Sequence, residues 1–423
     1  MDQAQAKSPA RVLTATFLPH FSVSLALSSI GPLAPFLQEA FQISRAQIGL
    51  LTSAQSVGSI AMATVSGSIV ERFGIRSWIF FSQAAAGLCA FGVACASSFT
   101  LGMVFFLIIG FAFSFVNPAT TKAIIIFFPH VRRGTAIALK QCGVPAGALA
   151  AAALLPVLAI WGGWEKSMLA VALIAVLGAA GAWLLYPDRD DRLFGGRNKK
   201  NGPPGGPPEQ HDLRKDYVRL LRNKDFLLTS VLQGVFNLGQ FVIRAYLVLY
   251  LVEAASCTVL FAGLTMAFMQ FGGVVSRVVW GLITDFLFAG RRIPVLQIIG
   301  LVTVAGLLGL AFLKPAMPAW VIWLVVATAG AGSEGFPGTA ILLRAELAGK
   351  DLAATSTGLG MAISFWGVLF GPPFFGFVVD TLHSYQLAWL TLAGITLAAT
   401  VLLRFVREPG RRAMGKGTLA KGA

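Results

Sequence analysis

Four cations and one clear anion fall well inside stretches apolar enough to cross a membrane: Lys122, Lys140, Arg244, Arg277 and Glu334. A charge in hydrocarbon costs at least about 2.5–3.5 kcal/mol, so each is a functional candidate unless it reaches the interface or a partner. Lys122 stands in the last two turns of its span, where a long stem can snorkel to the surface. Lys140 lies seven residues beyond Arg133, and Arg277 eight residues before Asp285, which places the two cations at similar depth. Two cations held together repel, and a bound anion relieves them. Arg277 has two further readings, an internal ion pair and snorkelling. Arg244 and Glu334 form either a permanent pair or a protonatable carboxyl that exchanges partners with substrate. His20 is either a proton carrier or a satisfied polar residue. Asn117, Gln141, Asn237 and Tyr246 are polar groups of apolar spans that can orient a small ligand; amides also bridge helices. The expected substrate-binding set is Arg277, Lys140, Arg244, Asn117, Gln141, Asn237 and Tyr246, with Glu334 and His20 as proton-coupling candidates.

The elements that position these groups follow from composition. Of 423 residues, 56% are hydrophobic and 12% charged, about half the charged fraction usual in a soluble protein. About twelve segments have the roughly 20 apolar residues a membrane helix needs: 12–37, 46–70, 77–97, 100–128, 134–160, 166–186, 223–252, 258–284, 293–313, 318–343, 353–379 and 385–406. The fold expected is an all-α polytopic membrane protein with 12 transmembrane helices in two pseudo-symmetric six-helix bundles. Segments 1–11 and 407–423 read as a cytoplasmic tail and a basic cytoplasmic tail, 12–186 and 223–406 as the bundles. Residues 187–222, with Gly202-Pro203-Pro204-Gly205-Gly206-Pro207-Pro208, read as a flexible cytoplasmic linker.

The net charge of +15 would suggest nucleic acid in a soluble chain. Sorted by loop, 26 of the 33 Lys and Arg fall on one side, three (Arg45, Lys166, Lys314) on the other and four within spans. Positive charge is retained on the cytoplasmic side, so both termini are expected there, in a bacterial-type inner membrane, with no nucleic-acid partner. The four cysteines lack metal-ligand spacing, and no phosphate loop or nucleophile constellation is present, so no metal, cofactor or enzymatic activity is expected.

A shift of 214 residues superposes Pro32–Glu71 on Tyr246–Asp285 without a gap, bringing Glu39 onto Glu253, Gly49 onto Gly263, Gly58 onto Gly272, Gly67 onto Gly281 and Glu71 onto Asp285. A shift of 219 places Pro118 on Pro337. Such parallel repeats occur in transporters that rock around a central site. The loop Gly67-Ser68-Ile69-Val70-Glu71-Arg72-Phe73-Gly74-Ile75-Arg76 resembles a motif of the major facilitator superfamily. Gly281-Leu282-Ile283-Thr284-Asp285 with Arg291 and Arg292 resembles its second copy. The resemblance covers essentially the whole chain. A carboxylate at a helix end beside arginines can latch helices in one state and release them in another, so Gly67, Glu71, Arg72, Gly74, Arg76, Gly281, Asp285, Arg291 and Arg292 are expected to gate the conformational change.

The resemblance also implies that spans 5 and 8 pack across the interface between bundles, which would set Lys140 and Arg277 on one cavity. Ser276-Arg277-Val278-Val279-Trp280-Gly281 is similar to the segment bearing the substrate-binding arginine of monocarboxylate and oxalate/formate porters, and Lys140-Gln141-Cys142-Gly143-Val144-Pro145 to a nitrate/cyanate-permease-like subgroup. The repeat counterpart of Arg277 is Ala63, so the arginine lies outside the shared scaffold. Together these features point to a monomeric secondary transporter, symporter or antiporter, for a small organic anion such as a carboxylate, driven by protons or exchange. Two alternatives stand beside it: proton-coupled efflux of amphipathic drugs, and a non-transporting receptor or scaffold.

Overall fold

The computed structural model describes residues 9–63, 66, 69–70, 74–128, 136–137, 139–187, 213–288, 290–315, 317–349 and 352–408. The chain is an all-α membrane protein built from twelve spanning elements. In the first half these are α1 and α2 together (Pro9–Leu27, Ile30–Phe41), α3 (Arg45–Ala63), α4 (Ile75–Ala94), α5 (Phe99–Phe127), α6 (Gly143–Gly162) and α7 (Trp164–Leu185). A short α8 (Leu213–Arg222) precedes the second half: α9 (Lys224–Glu253), α10 (Val259–Leu282), α11 (Arg292–Ala311), α12 with α13 (Ala319–Ser333, Phe336–Ala348), α14 with α15 (Ala353–Ser364, Trp366–Leu382) and α16 (Tyr385–Leu402). Eleven of the twelve are long and apolar enough to cross a membrane over their described residues. The other, α3, continues as helix at 66 and 69–70.

Proline explains two of the breaks within spans. Pro32 removes the N–H that the Ser28 carbonyl would otherwise accept, and the chain turns at Ser28 and Ser29 between α1 and α2. Pro337 does the same to Ser333 between α12 and α13. A turn frees backbone groups in the membrane interior, a cost tolerated where other protein groups or a cavity meet them.

Residues 213–222, expected inside a flexible linker, form the helix α8 instead. Its Leu220 is buried against Phe226 and Leu352, so the segment has an apolar anchor that the Pro/Gly-rich run upstream lacks. Within each half the helices pack as a bundle, with α4 on α7, α3 on α5 and α1 on α6 in the first, and α11 on both α12 and α16 in the second. The halves meet through α3 with α15, α6 with α10, and α2 with α9.

The α3–α15 approach is backbone to backbone. A Cβ on Gly49 would stand 2.4 Å from the Pro372 carbonyl carbon, closer than such contacts allow. Gly49→Leu therefore has to separate the halves at this end; we expect a fall in thermal stability, read by unfolding in detergent, of about 1–3 kcal/mol as in other overpacked sites.

Candidate functional site

The turn at Gly332-Ser333-Glu334-Gly335 ends α12 at Glu334, whose N–H still bonds the Gly330 carbonyl, and sets its side chain in the space between α9 and α10. Its side chain is 3% exposed. Arg244 of α9 grips it with both arms of its guanidinium, Nε donating to Oε1 at 2.6 Å and Nη2 to Oε2 at 2.5 Å. Gln240, one turn earlier on the same helix face, donates from Nε2 to Oε2 at 2.9 Å. Arg277 of α10 donates from Nη2 to Oε2 at 3.0 Å and from Nε to the Glu334 backbone carbonyl, freed by the turn, at 2.9 Å. Two guanidiniums thus share one carboxylate, and the cluster keeps a formal excess of one positive charge. The Arg277 side chain is 41% exposed, so one fork remains partly uncovered while the carboxylate it faces is sealed.

This cluster sits at the seam of the halves. Arg277, Arg244 and Glu334 line a crevice closed on the other side by Val144 and Pro145 of α6. Arg244 also borders a larger cavity of about 180 Å³, whose polar wall includes Ser24, Gln55, Ser56 and Gln270. The close fit of α10 to the Glu334 turn depends on Gly273, where a Cβ would lie 2.7 Å from Glu334 Cβ and 2.8 Å from Cγ. Gly273→Val is expected to push the carboxylate off its arginines, costing about 1–3 kcal/mol. Loss of thermal stability together with loss of anion binding would be the signature.

Lys140 is not where the sequence reading set it. It is fully buried inside the first half, bonded to Asn117, Thr120 and Thr121 of α5. The structure therefore does not bring Lys140 and Arg277 together. Similar depth on adjacent helices is not enough, because the helical phase of residues 139–141, just before α6, turns the lysine toward α5. His20 bonds Thr120 Oγ1 through Nε2 at 3.0 Å and lies in this same buried group. Asn117 is exposed apart from its contact with Lys140, and Gln141 is exposed. Asn237 donates from Nδ2 to the Ser364 carbonyl at 3.0 Å, tying α9 to the end of α14 rather than facing the cavity. Tyr246, expected to bind substrate, is fully buried; its hydroxyl donates toward the backbone carbonyls of Arg45 and Pro372, at 2.6 and 2.8 Å.

Of the expected gating residues, Gly67, Glu71 and Arg72 lie outside the described residues, as does the side chain of Asp285. Gly74 has φ +93° at the entrance to α4, a conformation that suits glycine. Arg76 stacks on the Trp183 ring at 4.2 Å and donates to its carbonyl, which joins α4 to α7 within one half. Gly281 is followed by a π-helical turn, Ile283–Leu287; Arg291 is exposed and Arg292 pairs with Glu346 at 3.3 Å. The contacts of Arg76 with Trp183 and of Arg292 with Glu346 each lie within one half.

A different group does span them, at the end of the bundle opposite Pro9 and Glu408. Arg45, at the start of α3, pairs with Glu253 at 2.7 Å and Asp380 at 3.3 Å, and its Nε donates to the Tyr385 hydroxyl at 3.0 Å. Asp380 also accepts the backbone N–H groups of Arg45 and Ala46, at 3.2 and 2.9 Å. The orphan amides that open α3 are thus capped by a carboxylate from the opposite half. Ser53 Oγ adds a bond to the Leu369 carbonyl at 2.5 Å. Sequence reasoning treated Arg45 only as a loop charge. The register of Glu39 with Glu253 was the one available signal.

The sequence profile described as "Major Facilitator Superfamily" matches residues 16–372. The hexuronate transporter of Bacillus subtilis (strain 168) is 20% identical over 388 residues, 90% of each chain. The probable sulfoacetate transporter SauU of Cupriavidus necator is 23% identical over 412 residues, 94% of this chain and 93% of that one. Among solved structures, the nucleoside transporter NupG superposes with a TM-score of 0.76 at 14% identity, covering 94% of this chain and 99% of that one, a likeness of fold. The twelve-span architecture, the repeat and the profile match agree: the chain belongs to the Major Facilitator Superfamily, whose members are membrane transporters and not enzymes.

Proposed function

We propose that the protein moves small organic anions, carboxylates foremost, across a bacterial-type inner membrane by alternating access, as a monomer with both termini cytoplasmic. The observation that carries this reading is the Arg244–Glu334–Arg277 cluster, which places an excess positive charge and a half-open guanidinium fork at the seam of the two bundles. A guanidinium matches a carboxylate or sulfonate with two parallel charge-assisted bonds. An arriving anion competes for Arg277 with Glu334, whose charge stays covered by Arg244 and Gln240. The cavity of about 180 Å³ is smaller than the roughly 300 Å³ at which drug-sized sites begin, which favours a small anion over an amphipathic drug.

In this orientation the Arg45 group closes the outer side, so the arrangement faces the cytoplasm. Transport then requires the bundles, residues 12–186 and 223–406, to rock until that closure opens. Two relatives, a hexuronate transporter and a probable sulfoacetate transporter, motivate a test panel of a hexuronate, sulfoacetate, simple monocarboxylates and dicarboxylates, and their neutral amide or alcohol analogues. Reconstituted protein is expected to take up at least one labelled anion and none of the neutral analogues. Stabilisation by cationic amphipaths with no response to any anion would overturn the reading.

A further inference from the structure

α5 carries Asn117-Pro118-Ala119-Thr120-Thr121, in which positions 117, 120 and 121 share one helix face. All three point their oxygens at Lys140. Nζ lies 3.0 Å from Asn117 Oδ1, 2.8 Å from Thr120 Oγ1 and 2.7 Å from Thr121 Oγ1. An ammonium has three N–H donors, and three acceptors meet them. Every one is neutral: among the described residues no carboxylate bonds this buried lysine. On the other side of Thr120 stands His20 of α1, its Nε2 3.0 Å from the same oxygen, with Nδ1 buried and without a partner. Gly143, at the start of α6, lets α1 come this close; a Cβ there would lie 2.8 Å from His20 Cβ.

This is an unusual way to hold a permanent charge. A buried cation that serves only to fasten helices is normally matched by a carboxylate, and arginine, which does not give up its proton, is the residue suited to it. Lysine's proton is removable, and hydroxyls can accept or donate. The same three ligands can therefore hold an ammonium, which donates three bonds, or an amine, which donates two and accepts one from a threonine. Thr120 also joins the two titratable groups. The Thr120 hydroxyl also donates to the Val116 carbonyl at 2.7 Å, so it must turn from that carbonyl toward His20 Nε2, 3.0 Å away, to join the two groups. With the hydroxyl so turned, a proton passed from Lys140 Nζ to Thr120 Oγ1, with the hydroxyl's own proton passed to His20 Nε2, converts ammonium and imidazole into amine and imidazolium, with charge conserved.

We infer that Lys140, Thr120 and His20 form the binding site of a co-transported proton, seated in the first half while the anion site sits mainly on the second. The inference rests on the anion-transport reading and gives it its coupling ion. Among the described residues, other charged groups near the site are few. Lys122 follows Thr121 on α5, and Arg244, Arg277 and Glu334 lie across the seam, in the crevice they share with Val144 and Pro145 of α6. Glu165 and Lys166 of α7 belong to its opposite end.

The test compares two modes of transport in proteoliposomes, for whichever panel anion the unaltered protein carries. Counterflow, with the anion on both sides and no pH gradient, reports anion exchange; accumulation driven by an inward proton gradient reports coupling. For Lys140→Arg, His20→Gln and Thr120→Val we expect gradient-driven accumulation to fall at least about tenfold while counterflow stays within about threefold. Thr120→Val keeps both titratable groups and removes only the joint, so it decides the matter if a lysine variant fails to fold. Undiminished accumulation by folded variants would overturn the inference. So would an unaltered protein that exchanges anions yet ignores the gradient, which leaves the anion reading standing. Absence of any anion flux in the unaltered protein overturns that reading instead.

Discussion

Arg244→Ala is expected to destabilise the protein by about 3–5 kcal/mol and to abolish anion uptake, because it strips two charge-assisted bonds from a carboxylate that is 3% exposed and leaves it Arg277 and Gln240. The double variant Arg244→Ala/Glu334→Gln removes the under-satisfied carboxylate charge as well, so it recovers most of the stability and none of the uptake. Arg277→Ala should separate the two effects. Glu334 keeps Arg244 and Gln240, so stability falls by about 1–2 kcal/mol, the worth of two partly exposed bonds. Anion affinity falls by about 2–3 kcal/mol, roughly 30–150-fold, the value of a charge-assisted pair. Thermal unfolding and titration calorimetry on the same preparations read both quantities. Equal loss of stability in the two single variants would show that Arg277 is a structural partner of Glu334 and nothing more.

The second large effect belongs to the Arg45 closure. Asp380→Ala removes an ion pair and the cap of α3, terms of about 0–1 and 1 kcal/mol. Arg45→Ala removes two ion pairs and the bond to Tyr385. Because these contacts exist only while the halves touch at this end, their loss acts on the balance between states rather than on folding. A loss of about 2–3 kcal/mol shifts that balance roughly 30–150-fold toward opening. A cysteine placed at Ser56, on the cavity wall, in a background without the four native cysteines, should react correspondingly faster with a membrane-impermeant reagent applied from the Arg45 side. An unchanged labelling rate would mean that apolar and backbone packing alone, such as Gly49 on Pro372, hold the closure.

The spans were legible because apolar runs and their breaks are local properties. The pseudo-symmetry was legible because acidic and glycine positions recur in register. The cluster was half legible. Arg244, Arg277 and Glu334 stood out as charges in apolar spans. Their convergence depends on the turn at Glu334, which Pro337 announced and the span assignment passed over. Gln240, one turn before Arg244, was legible as a polar group of its apolar span; Gln270 follows the helical spacing of Arg277, two turns before it, and could have been found by it. Lys140 and Tyr246 were misplaced for one reason: a spanning helix packed on several sides gives no periodicity that says which neighbour a side chain faces. The Arg45 closure is invisible locally, since its partners lie 208 and 335 residues away in sequence.

Proteoliposome uptake of the labelled anion panel by the unaltered protein and by Arg277→Ala, with equal insertion checked for each, tests the central claim most directly. The account predicts saturable uptake of at least one carboxylate or sulfonate, no uptake of its neutral analogue, and loss of that uptake in Arg277→Ala without loss of the folded state. Full uptake by Arg277→Ala, or equal uptake of anion and neutral analogue, would contradict it.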